Sequence, residues 1–400
     1  MKVVHISTLE DGGAGIAASR LHEGLLAQNI DSVFLCAYPN AHHSIARVAD
    51  GQARSYWKRA AYKMGIRSVD RVKQEAQKVK SAGGNFEFYS MPFSDYRLET
   101  NPHILDADII NFHWVSNFVD FPTFFSLKKP IVWTFHDMNP IMGGFHYSAD
   151  FLKNQGNPVL MGIEERYRKV KTDALQAAGV TVCAPSRWLY EASLADGTMG
   201  RFAHHHIPYG LNTQTFMTYP QDFSRQVFKL PLNKKIFLFV SGYIGNKRKG
   251  FHLLEEAVAR ISPDEDFIVV AVGYHPPAPK DSRIVYVDPI HDEALLPLLF
   301  SAADICVIPS LEDNLPNVML ESLCCGTPVL AYAIGGLKDT IIDGSNGFLS
   351  PAISADALAA TMTRAVRTGF DRAAIRRDAV EKFDQSVQAK KYMAVYNSIS

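Results

Sequence analysis

Short apolar runs recur along the whole chain, each followed by a stretch whose apolar positions fall at helical spacing. The runs are Val3–Ser7, Ser32–Cys36, Ile109–His113, Ile131–His136, Val180–Ala184, Ile236–Ser241, Phe267–Val272, Ile305–Pro309 and Val329–Ala331. Such runs alternating with helices predict an α/β chain with parallel sheets, whose strands are apolar on both faces. They are too many for one open sheet of ordinary size. A break falls at residues 204–230, where Ile207-Pro-Tyr-Gly210 leads into a polar, proline-containing stretch before Ile236–Ser241 starts a second α/β series. The pattern therefore predicts two Rossmann-like domains, residues 1–212 and 225–385. A last amphipathic helix, Gln385–Ile399, carries Tyr392, Met393 and Tyr396 at helical spacing.

Composition narrows the functional classes. Four hundred residues suit two or three domains, and 47% apolar residues suffice for large cores. A formal net charge of zero argues against a nucleic-acid partner. The five cysteines, Cys36, Cys183, Cys306, Cys324 and Cys325, show no metal spacing; Cys36, Cys183 and Cys306 sit in apolar runs, as buried free thiols of a reducing cytosol do. Met1-Lys-Val-Val-His-Ile6 reads as a strand rather than a signal peptide. No apolar run reaches the ~18–20 residues of a membrane helix. Between Arg54 and Lys80 nine Lys or Arg stand against Asp70 and Glu75, with Tyr56, Trp57 and Tyr62 interleaved. The plain reading is a solvated helix face; the alternative is a surface that meets anionic lipid.

The chemistry concentrates where strands end. In Ser310-Leu-Glu-Asp-Asn-Leu-Pro-Asn-Val-Met-Leu-Glu321, Pro316 suits the first turn of a helix, and Gly326 with Pro328 suits its stop. Asp313 then precedes a helix N-terminus and Glu321 lies in the helix body, eight residues on, or about 12 Å at helical rise. That is roughly the length of a diphosphate with a sugar at each end. One carboxylate can hold hydroxyls of a transferred sugar and the other those of a ribose, with the helix N-terminus favouring the anion. Asn246-Lys-Arg-Lys-Gly250 follows the first strand of the second series; cations at a strand's C-terminal end suit a pyrophosphate, although a lone basic loop is ordinarily just solvated. Gly12-Gly-Ala-Gly15 follows the first strand and opens a helix, but lacks the third glycine of a dinucleotide fingerprint. His136-Asp137 ends another strand. Asp106-Ala-Asp108 reads D-x-D but precedes a strand, and His204-His-His206 alternates its side chains, so neither is taken as a metal site.

Taken together, these motifs resemble the retaining GT-B glycosyltransferases of family 4 (glycosyltransferase group 1), and within them the capsule and colanic-acid branch. The resemblance spans Val3 to about Phe383. Asp313-Asn-Leu-Pro-Asn matches the branch's E-N-L-P-N with a side chain one methylene shorter. Trp133-Thr-Phe-His-Asp-Met-Asn-Pro-Ile-Met-Gly-Gly-Phe-His-Tyr147 matches its H-D-M-x-x-x-T-G-G-C-H-Y, with Met142 and Phe145 replacing Thr and Cys. Asn111-Phe-His-Trp-Val115, Ala184-Pro-Ser-Arg187, Gly335-Gly-Leu-Lys-Asp339 and Asp343-Gly-Ser-Asn-Gly347 match further turns; Tyr243 and Tyr209 depart from the usual Arg and Asn.

The resemblance implies a GT-B fold with two domains facing across a cleft and the terminal helix, about 386–400, packed back on the first. It implies transfer of a hexose-type sugar, with retention, from a nucleotide sugar (UDP- or GDP-linked) to a surface glycan, lipid-linked acceptors included. Arg248 and Lys249 would hold the diphosphate, Asp313 the donor sugar, Glu321 the ribose, and His136 would hydrogen-bond the donor. Gly12, Gly13, Gly15, Asn314, Leu315, Gly335 and Gly336 would line the donor site. Asp137, Gly143, Gly144 and His146 would lie on the acceptor side. No cofactor or metal is expected, and the expected place is the cytoplasm, at the inner face of the membrane. A non-catalytic sugar-nucleotide-binding partner, or a GT-B epimerase or phosphorylase, would share the fold.

Overall fold

The computed structural model describes residues 1–39, 46–48, 71–276, 278–279 and 281–399. Residues 54–70, which carry most of the basic run behind the membrane expectation, lie outside them. The chain forms two compact units, Met1–Ile207 with Ala389–Ser400, and Pro208–Gln388. The division falls earlier than the expected 212, and the expected linker joins the second unit. Hydrogen bonds explain this. Leu211 N–H donates to Phe383 O and Gln385 N–H to Leu211 O, both at 2.9 Å, and Thr218 Oγ1 donates to Cys325 O at 3.0 Å. Arg376 reaches the carbonyls of Phe216 and Thr213.

The first unit holds a seven-stranded, wholly parallel sheet of β1 (Lys2–Leu9), β2 (Asp31–Tyr38), β3 (Ala46–Val48), β4 (Ile109–Phe112), β5 (Ile131–Thr134), β6 (Val180–Ala184) and β7 (Ala203–His206). Their spatial order is 3-2-1-4-5-6-7. The order reverses at β1, which pairs Val4 with Val33 on one side and Ile110 on the other. Alternate residues face opposite ways. Val4, Ile110 and Trp133 enter one core, and Val3, Ile109 and Val132 the other. The second core is closed by the helix Gln385–Ile399, whose Ala389, Tyr392, Val395 and Tyr396 are buried against Leu21 and Leu25. Its tyrosine hydroxyls are satisfied inside: Asn111 Nδ2 donates to Tyr396 at 2.7 Å, and Thr134 Oγ1 lies 2.9 Å from the Tyr392 hydroxyl. Each buried ring contributes about 2 kcal/mol, so the distant C-terminus is a structural part of this unit.

The second unit repeats the plan with six parallel strands, β8 (Lys235–Tyr243), β9 (Phe267–Tyr274), β10 (Ile284–Val287), β11 (Ile305–Ile308), β12 (Val329–Tyr332) and β13 (Gly347–Ser350), ordered 10-9-8-11-12-13. Its reversal lies between β8 and β11. In such sheets ligand groups gather beyond the strand C-termini at the reversal. Each unit places its motif residues there. The strands also end one or two residues before the motifs: β4 stops at Phe112 and β5 at Thr134, so His113 and His136 stand in the loops, not in the strands expected to contain them.

Candidate functional site

In the second unit the site is built by the loops after β8, β11 and β12. The chain leaves β8 into Lys247–Lys249, a single tight turn whose N-cap, Asn246, accepts a hydrogen bond from Arg248 N–H at 2.9 Å. Lys249 Nζ donates to Asp313 Oδ2 at 2.7 Å, and Ser310 Oγ donates to the same oxygen at 3.2 Å. Arg248 donates to the Glu312 carbonyl at 3.0 Å and stands 3.9 Å from Asp313. Burial alone would push the Asp313 carboxyl up; Lys249 and Arg248 outweigh it and hold it below the usual carboxylate range. Two cations thus share one largely buried carboxylate, which leaves positive charge for an anion.

The helix after Asp313 runs Asn317–Cys324, with Pro316 at the N-cap in extended conformation, one place earlier than expected. Its end follows the expected glycine: Gly326 N–H donates to Leu323 O and Thr327 N–H to Ser322 O, both at 2.9 Å, the paired bonds of a Schellman stop. Glu321 lies in the helix body and is buried, as are Asn314 and Leu315. The Gly335-Gly336 turn seats directly on the acidic loop. Gly336 N–H donates to Asn314 O at 2.6 Å, and a Cβ on Gly335, whose φ is +45°, would fall 1.8 Å from Asp313 O. Only glycine fits that approach. The Asp343–Gly347 turn is internal scaffolding, with Asn346 bonded to Ile342 N–H and Thr340 O. Tyr243 and Tyr274, paired across β8 and β9, are each 60% exposed.

In the first unit the motif residues form a different kind of cluster. Gly12 begins the helix Gly12–Leu26, with Gly13 and Gly15 in its first turn and Asp11 as an N-cap without a side-chain bond. Beyond β4 and β5, His113, Trp114, Ser116, His136, Asp137 and His146 line a small pocket. His146 Nδ1 donates to Asp137 Oδ2 at 2.6 Å, Trp114 Nε1 donates to the same oxygen at 2.9 Å, and Asn139 N–H caps Oδ1 at 2.9 Å. Burial pushes the Asp137 carboxyl up, but His146 and the Asn139 amide outweigh it and leave it lowered. His146 Nε2 lies 2.5 Å from Ser90 Oγ. The order Ser–His–Asp is that of a nucleophilic relay. Here Ser90 is 3% exposed and its hydroxyl is shared with Ser116, so the chain orients Asp137 instead of presenting a nucleophile.

Gly143 and Gly144 bind inward. Their N–H groups donate to Glu164 Oε1 and Oε2 at 2.5 and 2.6 Å, and a Cβ on Gly143 would lie 2.0 Å from Glu164 O. Tyr89 donates to the same carboxylate at 3.1 Å. From the same helix, Pro158–Leu175, buried Lys171 donates to Asn139 O at 2.8 Å and Met142 O at 2.9 Å. Glu164, Lys171, Tyr89 and Ser90 were not singled out from the sequence. The first two carry a signal, a Glu and a Lys seven residues apart on the buried face of an amphipathic helix; the others carry none.

The rejected motifs are structural. Asp106 binds Lys2 Nζ at 2.6 Å and Asp108 binds Lys2 N–H at 2.7 Å, which together pin the start of β1. His204-His-His206 is edge strand β7. All five cysteines are buried, and none is in a disulfide. Among the described residues no group of His, Cys, Asp and Glu could hold a metal ion, and no helix is long and apolar enough to cross a membrane.

Residues 234–368 match the family model of glycosyl transferases group 1. A D-inositol 3-phosphate glycosyltransferase of Corynebacterium glutamicum is 28% identical over 44% of this chain and 46% of its own length, so the chain spans about half of that relative. A protein of the same name from Xylanimonas cellulosilytica is 28% identical over 68% of each chain. Among solved structures, Anabaena Alr3699/HepE, determined in complex with UDP and with UDP-glucose, superposes over 100% of both chains at a TM-score of 0.68 and 18% identity, a likeness of fold. Residues 234–368 thus resemble the glycosyl transferases group 1, and the chain has the fold of the GT-B structures.

Proposed function

We propose that this protein is a retaining glycosyltransferase that moves a hexose from a nucleotide sugar to a glycan acceptor without a metal ion. The observation that carries the reading is the Lys249–Asp313–Arg248 cluster at the end of β8, inside the matched segment. Fixed cations there would bind the diphosphate and stabilise the charge that grows on the leaving nucleotide. Glu321 would take the ribose hydroxyls and Asp313 the sugar hydroxyls, with Asn314, Leu315, Gly335 and Gly336 shaping the donor site. In the first unit, His136 and the Gly12–Gly15 helix start, each at a strand end, would be the groups that meet a sugar. Asp137 and His146 would border the acceptor, held in place by Gly143 and Gly144 through Glu164.

UDP is the favoured nucleotide, because the HepE structures bind UDP and UDP-glucose on the same fold. The acceptor has two candidates. The His136–Tyr147 motif supports a surface glycan of the capsule type, lipid-linked forms included, met at the cytoplasmic membrane face. The names of the relatives support a phosphorylated inositol. The test is transfer of labelled glucose from UDP-glucose to lipid-linked glycan, free oligosaccharide or inositol phosphate, with EDTA present throughout. The expected outcome is an α-linked product with one acceptor class, at an unchanged rate under chelation. UDP-glucose neither transferred nor slowly hydrolysed, with UDP still bound, would favour a non-catalytic binding protein. Activity abolished by EDTA and restored by Mn²⁺ would overturn the metal-free route.

A further inference from the structure

Phe88 lies outside the sequence motifs and against the pocket of the first unit. Its ring meets the Trp114 indole edge to face, with centroids 5.7 Å apart and planes at 79°, and lies 6.0 Å from the His146 ring at 64°. Trp114 and His146 both line the pocket, together with Ser116, His136 and Asp137. The rings thus form an aromatic corner at the rim of a polar floor. We propose that this corner is a sugar subsite: Phe88 and Trp114 take the C–H face of one uncharged pyranose ring, and the pocket beside them takes its hydroxyls.

The first support is the exposure of Phe88. In Phe86-Glu-Phe-Tyr89 two of the three aromatic rings turn inward. Phe86 and Tyr89 pack on buried Phe145 with centroids at 6.0 and 4.9 Å. Phe88 is 43% exposed. Its backbone is nonetheless fastened on both sides. Glu87 N–H donates to Asp150 Oδ2, Ser90 N–H to Gly144 O and Met91 N–H to Asn117 Oδ1, each at 2.8 Å. Trp114 is fixed from the other side, because its Nε1 donates to Asp137 Oδ2 at 2.9 Å. A phenyl held in water on a fastened backbone forgoes the burial that the neighbouring rings gain. Two such rings, already set at the edge of a polar pocket, are the make-up of a site that binds by stacking at little ordering cost.

The surroundings select the ligand. A pyranose has an apolar C–H face and a rim of hydroxyls, which match an aromatic wall beside polar groups. An alkyl chain would need an apolar channel, and this corner opens onto Ser116, His136 and Asp137 instead. An anion would meet the wrong charge. Burial pushes the Asp137 carboxyl up, but His146 and the Asn139 amide keep it lowered and ionised. Burial also leaves His113 and His136 uncharged near pH 7. The described residues that line the pocket include no Lys or Arg. The Lys171 ammonium is buried behind the 139–142 turn, donating to Asn139 O and Met142 O. An uncharged ring is therefore favoured over a phosphorylated one. That this ring belongs to the acceptor, which would set a neutral glycan above a phosphorylated inositol, rests on the proposed function; the subsite itself does not.

The test is saturation-transfer NMR on the full chain without nucleotide. The probes are the methyl glycosides of glucose, galactose, mannose and N-acetylglucosamine, with inositol 3-phosphate as the anion. At least one glycoside should bind wild type saturably and more tightly than inositol 3-phosphate. Phe88→Ala should weaken that binding at least about fivefold, and Phe88→Tyr should retain it. Phe223→Ala, which removes an exposed phenyl of the second unit, should leave it unchanged. No saturable binding by any glycoside, equal binding in a folded Phe88→Ala protein, or tighter binding of inositol 3-phosphate would overturn the proposal. In transfer assays Phe88→Ala should raise the KM for acceptor and leave that for UDP-glucose unchanged. Phe88-dependent glycoside binding in a protein that transfers no sugar would keep the subsite and remove the transferase reading; transfer with an unchanged acceptor KM would do the reverse.

Discussion

In the first unit the polar groups beyond the sheet largely bind one another. Asp137 accepts from His146, Trp114 and the Asn139 amide, Glu164 from two glycine amides and Tyr89, and the histidines pair among themselves. In the second unit the corresponding place holds two cations against one carboxylate. The same strand order therefore carries two electrostatic designs. One turns its hydrogen bonds to geometry; the other holds two cations against one carboxylate at a strand end. Substitutions in the first should act on stability and orientation, and substitutions in the second on anion affinity and turnover.

The largest expected effect is on turnover. Lys249→Ala should lower transfer from UDP-glucose by ~10²-fold or more, the usual loss when one preorganised charge partner is removed. Its stability cost should stay below that of Glu164→Ala, because Arg248 and the Ser310 hydroxyl remain beside Asp313. Steady-state rates with a denaturant titration check both halves. A large stability loss with normal turnover would erase the distinction between the units.

Glu164→Ala should do the reverse. It leaves the Gly143 and Gly144 amides and the Tyr89 hydroxyl without their acceptor, at a cost of about 3 kcal/mol. Denaturant unfolding should show the loss, and UDP affinity in the surviving folded protein should hold.

Acid should weaken the first unit by a smaller amount. Burial would push Glu75 up, but hydrogen bonds from Arg166, Lys78 and Tyr167 outweigh it and bring it to about 2, from an ordinary 4.5. A lowered carboxylate contributes stability that is complete above pH 4.5 and is lost as pH falls toward 2. That contribution is about 2–3 kcal/mol. Unfolding free energies across this window should fall less in Arg166→Met than in wild type; parallel curves would remove Glu75 from the account.

The sequence displayed the fold wherever burial made a strand uniformly apolar. All nine expected strands are present, as is the terminal helix Gln385–Ile399. The strands absent from the apolar runs, β3, β7, β10 and β13, lie at sheet edges, and of these only β7 was expected, as a connecting strand. At β7, His204-His-His206 is polar because one side meets solvent, and at β10 Val285 is 38% exposed. An apolar-run criterion passes over such strands. The Lys249–Asp313 cluster was legible because both residues belong to compact motifs that declare their chemistry locally. The supports of the other cluster were not. Glu164 meets Gly143 from a separate helix, Ser90 meets His146 across 56 residues, and His5 meets His113 across 108. Such pairings are made by topology, and a linear pattern does not contain them. The two glycines expected on the acceptor side, Gly143 and Gly144, give their amides to the buried carboxylate of Glu164.

The division of labour is tested most directly by calorimetric titration of UDP into the full chain and into two variants, Lys249→Ala and His146→Asn. UDP should bind wild type; Lys249→Ala should weaken it at least tenfold, about 1.4 kcal/mol, while His146→Asn leaves it within a factor of two. Equal losses in both variants, or an affinity untouched by Lys249→Ala in a folded protein, would contradict the assignment of the nucleotide to the cations after β8.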